Sequence, residues 1–244
     1  MPSRVLILGG AGGIGSALAR IVAAAGGRVF LAGRDSVKLE ALGGELAMPT
    51  ATVEATDLDA IDACADRAAE ALGGLTGIAN CVGSLLLKPA HLTSSAEWHA
   101  TLAHNLTSGF GCVRAAGRLL KTDGGSVVLV SSAAARIGLA NHEAIAAAKA
   151  GLEGLVRSAA ATYARQRIRF NAVAPGLVRT PLTRGLVSTE LAEKASLAMH
   201  PLGRLGEPAD VARAIAFLLD PAQDWITGQV LGVDGGLADL KPRA

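Results

Sequence analysis

Short apolar runs alternate along this chain with stretches whose apolar positions recur at helical spacing. Val5 to Leu8 is the first run, and a helical pattern follows within a few residues. Arg28 to Ala32 is the second, followed by a predicted helix from Ser36 to Ala47 and a strand near Thr50 to Ala55. The same rhythm predicts a helix over Asp57 to Leu72, a strand over Leu75 to Asn80 and a long helix from about Ala96 to Leu120. Gly125 introduces a buried-strand pattern, Ser126-Val-Val-Leu-Val130, and His142 to Arg165 is again helical. A strand over Ile168 to Val173 precedes a polar, proline-bearing segment, 175 to 206. Glu207-Pro-Ala-Asp starts a helix to Leu219, and Gln229 to Val233 is the last strand. Strands and helices alternating this way, joined by right-handed crossovers, give an α/β fold: a doubly wound parallel sheet of about seven strands with helices on both faces. The pattern runs unbroken, so residues 1–244 read as a single domain.

The first strand breaks into five glycines within seven residues, Gly9 to Gly15, before the helical pattern begins. Strand, tight turn and helix in that order leave the turn backbone bare, and glycine lets a ligand approach it closely. The free N–H groups and positive end of the new helix favour a phosphate. Gly9, Gly13 and Gly15, with Ile14 between the last two, follow Gly-x3-Gly-x-Gly and point to a dinucleotide.

Composition agrees with that core. Half of the residues are apolar and only 3% aromatic, which suits a parallel sheet of Ala, Val, Leu and Ile buried on both faces. A net charge of +2 gives no electrostatic footprint for nucleic acid. Cys64, Cys81 and Cys112 form no Cys-x2-Cys pair, which argues for a reducing, cytoplasmic compartment rather than a disulfide frame or zinc site. No apolar run reaches the roughly 18 residues of a membrane span. The apolar N-terminus, with Arg4 and its glycine turn, reads as strand and helix rather than as a signal peptide.

The second strand ends at Gly33-Arg34-Asp35. An acid at that tip would hold the ribose hydroxyls of NAD. Here the tip is glycine, and the Arg34 guanidinium that follows suits a 2′-phosphate. NADP is therefore expected as cofactor, with NAD the other candidate. Asp35 is the residue placed to cap the next helix.

Taken together these motifs resemble the short-chain dehydrogenase/reductase family over essentially the whole chain. Leu8-Gly-Gly-Ala-Gly-Gly-Ile-Gly15 resembles the family's Thr-Gly-x3-Gly-x-Gly, with Leu8 in place of threonine. Asp57-Leu58 resembles the adenine contact, and Asn80-Cys-Val-Gly83 resembles the Asn-Asn-Ala-Gly strand end. Pro175-Gly176 resembles the nicotinamide-side turn, and Ile226-Thr-Gly-Gln with Val233-Asp-Gly-Gly the C-terminal signature. The resemblance implies a Rossmann-type fold, a nicotinamide cofactor held by these residues and by Lys149, and a tetramer or dimer of identical chains. Two long Ala-rich helices, 96–120 and 142–165, carry small-residue faces that could pack across a two-fold axis.

Family members work with an Asn-Ser-Tyr-Lys set. Asn105, Ser132 and Lys149 stand at matching positions. The Tyr-x3-Lys motif, however, reads Ile145-Ala-Ala-Ala-Lys149, and the serine-to-isoleucine spacing of thirteen residues is the one expected for serine to tyrosine. Tyr163, the only tyrosine, lies fourteen residues past Lys149, about four helical turns away, and is expected to pack rather than react. An aliphatic side chain transfers no proton, and general acid–base catalysis is worth about 10²–10⁴-fold. His142 lies at i−7 from Lys149 on one helical stripe, matching the Tyr-x6-Lys spacing of the enoyl-reductase branch. A neutral ring there is expected to donate one N–H to a substrate oxygen, with Ser131 and an ordered water as rival donors. Cys81, His91, His99, His104 and His200 show no metal-ligand or nucleophile pattern and read as structural.

The expected function is thus an NADP(H)-dependent oxidoreductase acting on a small-molecule carbonyl, alcohol or activated alkene. The catalytic set is Ser132, Lys149, Asn105 and His142, and a substrate lid lies at about 176–206. The alternative is a catalytically silent NADP(H)-binding protein acting as sensor or partner subunit. No metal, nucleic acid or membrane is expected.

Overall fold

The alternation becomes, in the computed structural model, seven strands and eight α-helices among the described residues, 3–241. The first half comprises β1 (Arg4–Leu8), α1 (Gly13–Ala24), β2 (Arg28–Gly33), α2 (Ser36–Leu46), β3 (Thr50–Thr52), α3 (Leu58–Leu72) and β4 (Gly77–Asn80). The second half comprises α4 (Ser95–Leu102), α5 (Ser108–Leu119), β5 (Gly125–Val130), α6 (Glu143–Tyr163), β6 (Ile168–Pro175), α7 (Glu190–Ala198), α8 (Pro208–Leu219) and β7 (Val230–Val233). All strands are parallel, in the order β3-β2-β1-β4-β5-β6-β7. The chain builds outward from β1 to β3, then returns to build the other half from β4. The order therefore reverses between β1 and β4, and ligands bind at the carboxyl ends of strands beside such a reversal.

Period-two alternation splits the core into two layers. Leu6, Leu8, Phe30, Ile78, Val127, Leu129 and Phe170 face α3, α5 and α6, whereas Val5, Ile7, Leu31, Ala79 and Val128 face α1, α2 and α8. Parallel strands buried on both faces explain the continuous apolar runs in the sequence. Tyr163 closes the end of the first layer, its ring 5.5 Å from that of Phe170 and against Gly117.

Three elements differ from the sequence expectation. The long helix at 96–120 is α4 and α5 joined by a π-helical turn, Ala103–Thr107, whose wider winding inserts a residue into the helix. β3 stops at Thr52, and the 176–206 segment, expected to be loose, contains α7. The small residues of α5 also serve a purpose other than the one expected: Gly109 admits Leu152 of α6, and Gly111 admits Ile61 of α3. They pack helices within the chain, so their presence says nothing about a two-fold axis.

Candidate active site

The glycine turn forms as expected. Gly9 has φ of +75°, and a Cβ there would lie 2.8 Å from the Cys81 carbonyl carbon, so backbone geometry and packing both demand glycine. Gly15 sits directly over the Gly9 carbonyl, which any larger residue would strike. Gly9, Gly13 and Ile14 form one wall of a groove of about 890 Å³ at the carboxyl ends of the strands, with the N-terminus of α1 beneath. This bare turn at a helix N-terminus fits a dinucleotide's phosphates. Gly15 itself is not on the groove wall; its part is the close helix–turn approach.

Beyond the turn the groove passes Gly33, Arg34, Lys38 and Glu54. Asp35 lines the groove, but each of its oxygens already has a partner. One oxygen caps α2 through the Lys38 N–H at 3.1 Å and the other pairs with Lys38 Nζ at 2.6 Å. Asp57 and Leu58 do not reach the groove wall. The Asp57 carboxylate caps α3, accepting from the N–H groups of Asp59 and Ala60, and Leu58 packs beside Gly111; the wall here is Val53-Glu54-Ala55. The expected adenine contact at Asp57-Leu58 is therefore not on the groove wall, where Val53, Glu54 and Ala55 stand instead, and the α3 cap takes Asp57 Oδ1. Asn80 is likewise structural. It is buried, donates to Ser108 Oγ and accepts from Val82 N–H, fixing the loop in which Cys81, Val82 and Gly83 do line the groove. Burial pushes the Cys81 thiol up to about 12, so it stays protonated and unreactive.

In the centre of the groove lie Asn105, Ser132, Ile145 and Lys149. Lys149 comes from α6 and donates from Nζ to the Val130 carbonyl at 2.6 Å. It is 6% exposed, and burial lowers its pKa to about 8. Gly83 faces it: a Cβ there would stand 3.2 Å from Asn105 Oδ1 and 3.8 Å from Lys149 Nζ. Asn105 lies in the π turn and gives its amide to the Thr101 carbonyl and Ser84 Oγ, while Oδ1 accepts from Ser84 N–H. Ser132 Oγ accepts from Ala134 N–H at 3.2 Å, which leaves its O–H free to donate into the groove. Ser131 has no such freedom; it donates to Glu153 Oε1 at 2.8 Å and is removed as a proton donor to substrate.

Ile145 stands on the groove wall four residues before Lys149, buried to 3% exposure. His142, half-buried one turn earlier at the start of α6, lines the same groove. Its Nδ1 contacts the Ala140 carbonyl at 2.7 Å. A carbonyl only accepts, so Nδ1 carries the hydrogen and Nε2 of the neutral ring is an acceptor. The sequence expectation of a neutral donor is thereby changed: His142 donates through Nε2 only as imidazolium, and as the neutral ring it accepts.

Pro175 and Gly176 also line the groove, at the end of β6. Their turn is pinned by a residue that no sequence pattern singles out. Buried His200, after α7, accepts from Leu177 N–H at 3.1 Å through Nε2 and donates from Nδ1 to the Ser196 carbonyl at 2.7 Å. Ser84 and His104 escape sequence reasoning in the same way, since no spacing links them to their partners at 105 and 34. Leu182, Leu186 and Met199 of the 176–206 segment complete an apolar end of the groove. No cluster of three metal-binding side chains occurs among the described residues, and none of their helices is long and apolar enough to cross a membrane.

Known proteins are similar to this chain in sequence and fold. A family model described as enoyl-(acyl carrier protein) reductase matches residues 9–238. A cis-4-hydroxycyclohexanecarboxylate dehydrogenase of Sinomonas cyclohexanicum is 41% identical over 239 residues, covering 95% of this chain and 94% of that protein. A 3-oxoacyl-(acyl-carrier-protein) reductase of Thermotoga maritima is 35% identical, covering 95% and 96%. Among solved structures, a short-chain type dehydrogenase/reductase from Mycobacterium ulcerans superposes with a TM-score of 0.93 at 30% identity, covering 98% of this chain and 91% of that one. A sheet reversing beside β1, a glycine turn at its carboxyl end and relatives matching along nearly the whole length lead to one conclusion: the chain belongs to the short-chain dehydrogenase/reductase family of oxidoreductases.

Proposed function

We propose that this chain is an NADP(H)-dependent oxidoreductase acting on a small, uncharged carbonyl, alcohol or activated alkene, with His142 as acid–base group in place of the tyrosine expected at position 145. The family's cofactor is a nicotinamide dinucleotide, which supplies or accepts hydride when bound. One observation carries the reading: a single groove joins the glycine turn and Arg34 to Ser132, His142 and Lys149. The choice of NADP rests on Arg34 beside a glycine strand tip and on an Asp35 whose oxygens are already bonded.

The protein's own groups divide the work. Ser132 O–H orients the substrate oxygen. His142 Nε2 gives that oxygen a proton as imidazolium during reduction, or takes one as neutral imidazole during oxidation. Lys149, held by Val130, binds the nicotinamide ribose and keeps a positive charge near the developing oxyanion. Asn105 holds the loop at Ser84 in place.

The substrate end favours an uncharged molecule. Its walls include Leu85, Leu139, Leu182, Leu186 and Met199; Arg34, Asp35, Lys38 and Glu54 lie at the other end, and Lys149 is committed to Val130 at the centre. A carboxylate buried among those leucines would lack a cation partner. The Sinomonas relative, named for a ring alcohol that bears a carboxylate, suggests an alicyclic alcohol or ketone here, without the acid. A homo-oligomer in a reducing, cytoplasmic setting completes the reading; all three cysteines are free.

Titration with NADPH and with NADH, followed by nicotinamide fluorescence, tests the cofactor assignment. A screen of cyclic ketones and enones then follows NADPH oxidation. Turnover lost in both His142→Asn and Ser132→Ala supports the site, whereas turnover unchanged in both would sink it. Tight NADPH binding with no turnover on any substrate would favour the silent-protein reading that Ile145 motivates.

A further inference from the structure

The π turn at Ala103–Thr107 sends two consecutive side chains in different directions. Asn105 turns inward to Thr101 and Ser84, 1% exposed. His104 turns to the far end of the groove and meets Arg34, with Nε2 3.5 Å from Nη1. The imidazole's roles are fixed by its other nitrogen. Nδ1 lies 2.8 Å from the Ala100 carbonyl, which only accepts, so Nδ1 is the donor and Nε2 is left to accept from the guanidinium.

This contact differs in kind from an ion pair. Arg34 makes no salt bridge among the described residues. Of its charged neighbours, Lys38 pairs with Asp35, while Glu54, whose Oε1 accepts from Thr56 N–H and Oγ1, forms no salt bridge with Arg34 but lies close enough for the guanidinium to help hold its carboxyl below the usual range. A carboxylate partner would hold Arg34 but cancel the charge an anionic ligand needs. A neutral imidazole acceptor holds it and leaves the charge intact. An exposed arginine otherwise spends its binding strength on losing rotamer freedom.

We propose that His104 is a positioning residue for recognition of a 2′-phosphorylated adenosine: it orients the Arg34 fork toward the 2′-phosphate and thereby sets cofactor preference. The proposal rests on the NADP reading above. It links that preference to the catalytic centre through one helical turn, since His104 and Asn105 are held by the same π winding.

The test needs neither substrate nor nicotinamide. Calorimetric titration compares adenosine 2′,5′-bisphosphate with adenosine 5′-monophosphate on wild type, His104→Leu, His104→Gln, Arg34→Ala and the Arg34→Ala/His104→Leu double variant, each checked for folding by circular dichroism. The wild type is expected to favour the bisphosphate, and His104→Leu to weaken it by about three- to tenfold, the worth of one hydrogen bond, with the monophosphate changed by less than about twofold. His104→Gln, whose amide oxygen can accept, is expected to recover part of the loss. Arg34→Ala is expected to remove the preference, and His104→Leu to add nothing to it. Equal weakening of both ligands by His104→Leu would show a packing role and overturn the proposal. So would an unchanged preference that still depends on Arg34, which would leave the NADP reading standing. No preference in the wild type would overturn the NADP reading itself.

Discussion

Ile145 stands where the Tyr-x3-Lys motif would place a hydroxyl, yet the residues around it keep polar groups on the groove wall. Ser132 keeps a free O–H, and Lys149 is buried with its ammonium on Val130. Ile145→Tyr, which returns the hydroxyl four residues before Lys149, is therefore expected to raise carbonyl reduction by about 10²-fold in kcat. His142→Asn should lower reduction by about 10²-fold in the unmodified chain and have far less effect in the Ile145→Tyr background, where the restored phenol carries the proton. Lys149 has a separate signature in stability. Burial lowers its pKa from 10.5 to about 8. Between those values the unfolded chain holds a proton that the fold has shed, so stability rises with pH through that window. Below it, charge burial costs about 3 kcal/mol, partly offset by the Val130 hydrogen bond. Lys149→Met should accordingly be more stable than wild type by about 1–3 kcal/mol at pH 7, with the gap closing toward pH 10 in urea titrations, although it binds NADPH more weakly.

At the scale of elements, two local features do the positioning. The π turn carries Asn105 and His104, one turned inward to Thr101 and Ser84 and the other toward Arg34. Its signal in the sequence is absent, because α4 and α5 keep helical spacing on both sides. The second feature is His200, which ties the Pro175-Gly176-Leu177 turn to the end of α7. A Cβ on Gly176 would come within 2.7 Å of its Nε2, so turn and ring are closely fitted. His200→Ala leaves the Leu177 N–H without its partner and should cost about 1–3 kcal/mol in thermal denaturation. Because the 176–206 segment covers the apolar end of the groove, the same change should raise KM for substrate more than it lowers kcat, and His200→Gln should restore part of both. A KM unchanged in His200→Ala would mean that the segment acts independently of this pin.

For the whole molecule, the edge of the sheet is the informative feature. β7 ends the sheet, and Phe217, Trp225 and Leu231 beside it are 45%, 96% and 40% exposed. Exposed apolar side chains grouped at a strand edge are costly in water and favour cover by a second copy. Sedimentation at low micromolar concentration should therefore give a mass above the 24.5 kDa of one chain, and Phe217→Ser with Trp225→Ser should lower it. A mass lowered by those two changes would put the contact at β7 and α8; Gly109 and Gly111 of α5 are already used inside the chain. A cofactor that binds only the folded state should also protect the whole domain, by about 2.7 kcal/mol at 100 times its Kd. NADPH should shift the thermal midpoint further than NADH at equal concentration.

The sequence alone determined the strand–helix alternation, the glycine turn and the family. These depend on local periodicity, on backbone freedom at Gly9 and Gly15, and on spacings such as thirteen residues from Ser132 to Ile145, all of which are written along one dimension. Only the tertiary structure decided which polar groups remain free. Asp57 and Asn80 match a motif by position, yet Asp57 Oδ1 is spent on the α3 cap and Asn80 Oδ1 on the Val82 loop. Ser131 is spent on Glu153, and the His142 proton on Ala140. His104 and His200 carry no pattern at all, because their partners at Arg34 and Leu177 are brought near by sheet order and by the return of the chain. A hydrogen bond is satisfied in space, so the availability of a donor or acceptor becomes legible only once the fold has brought its rivals together.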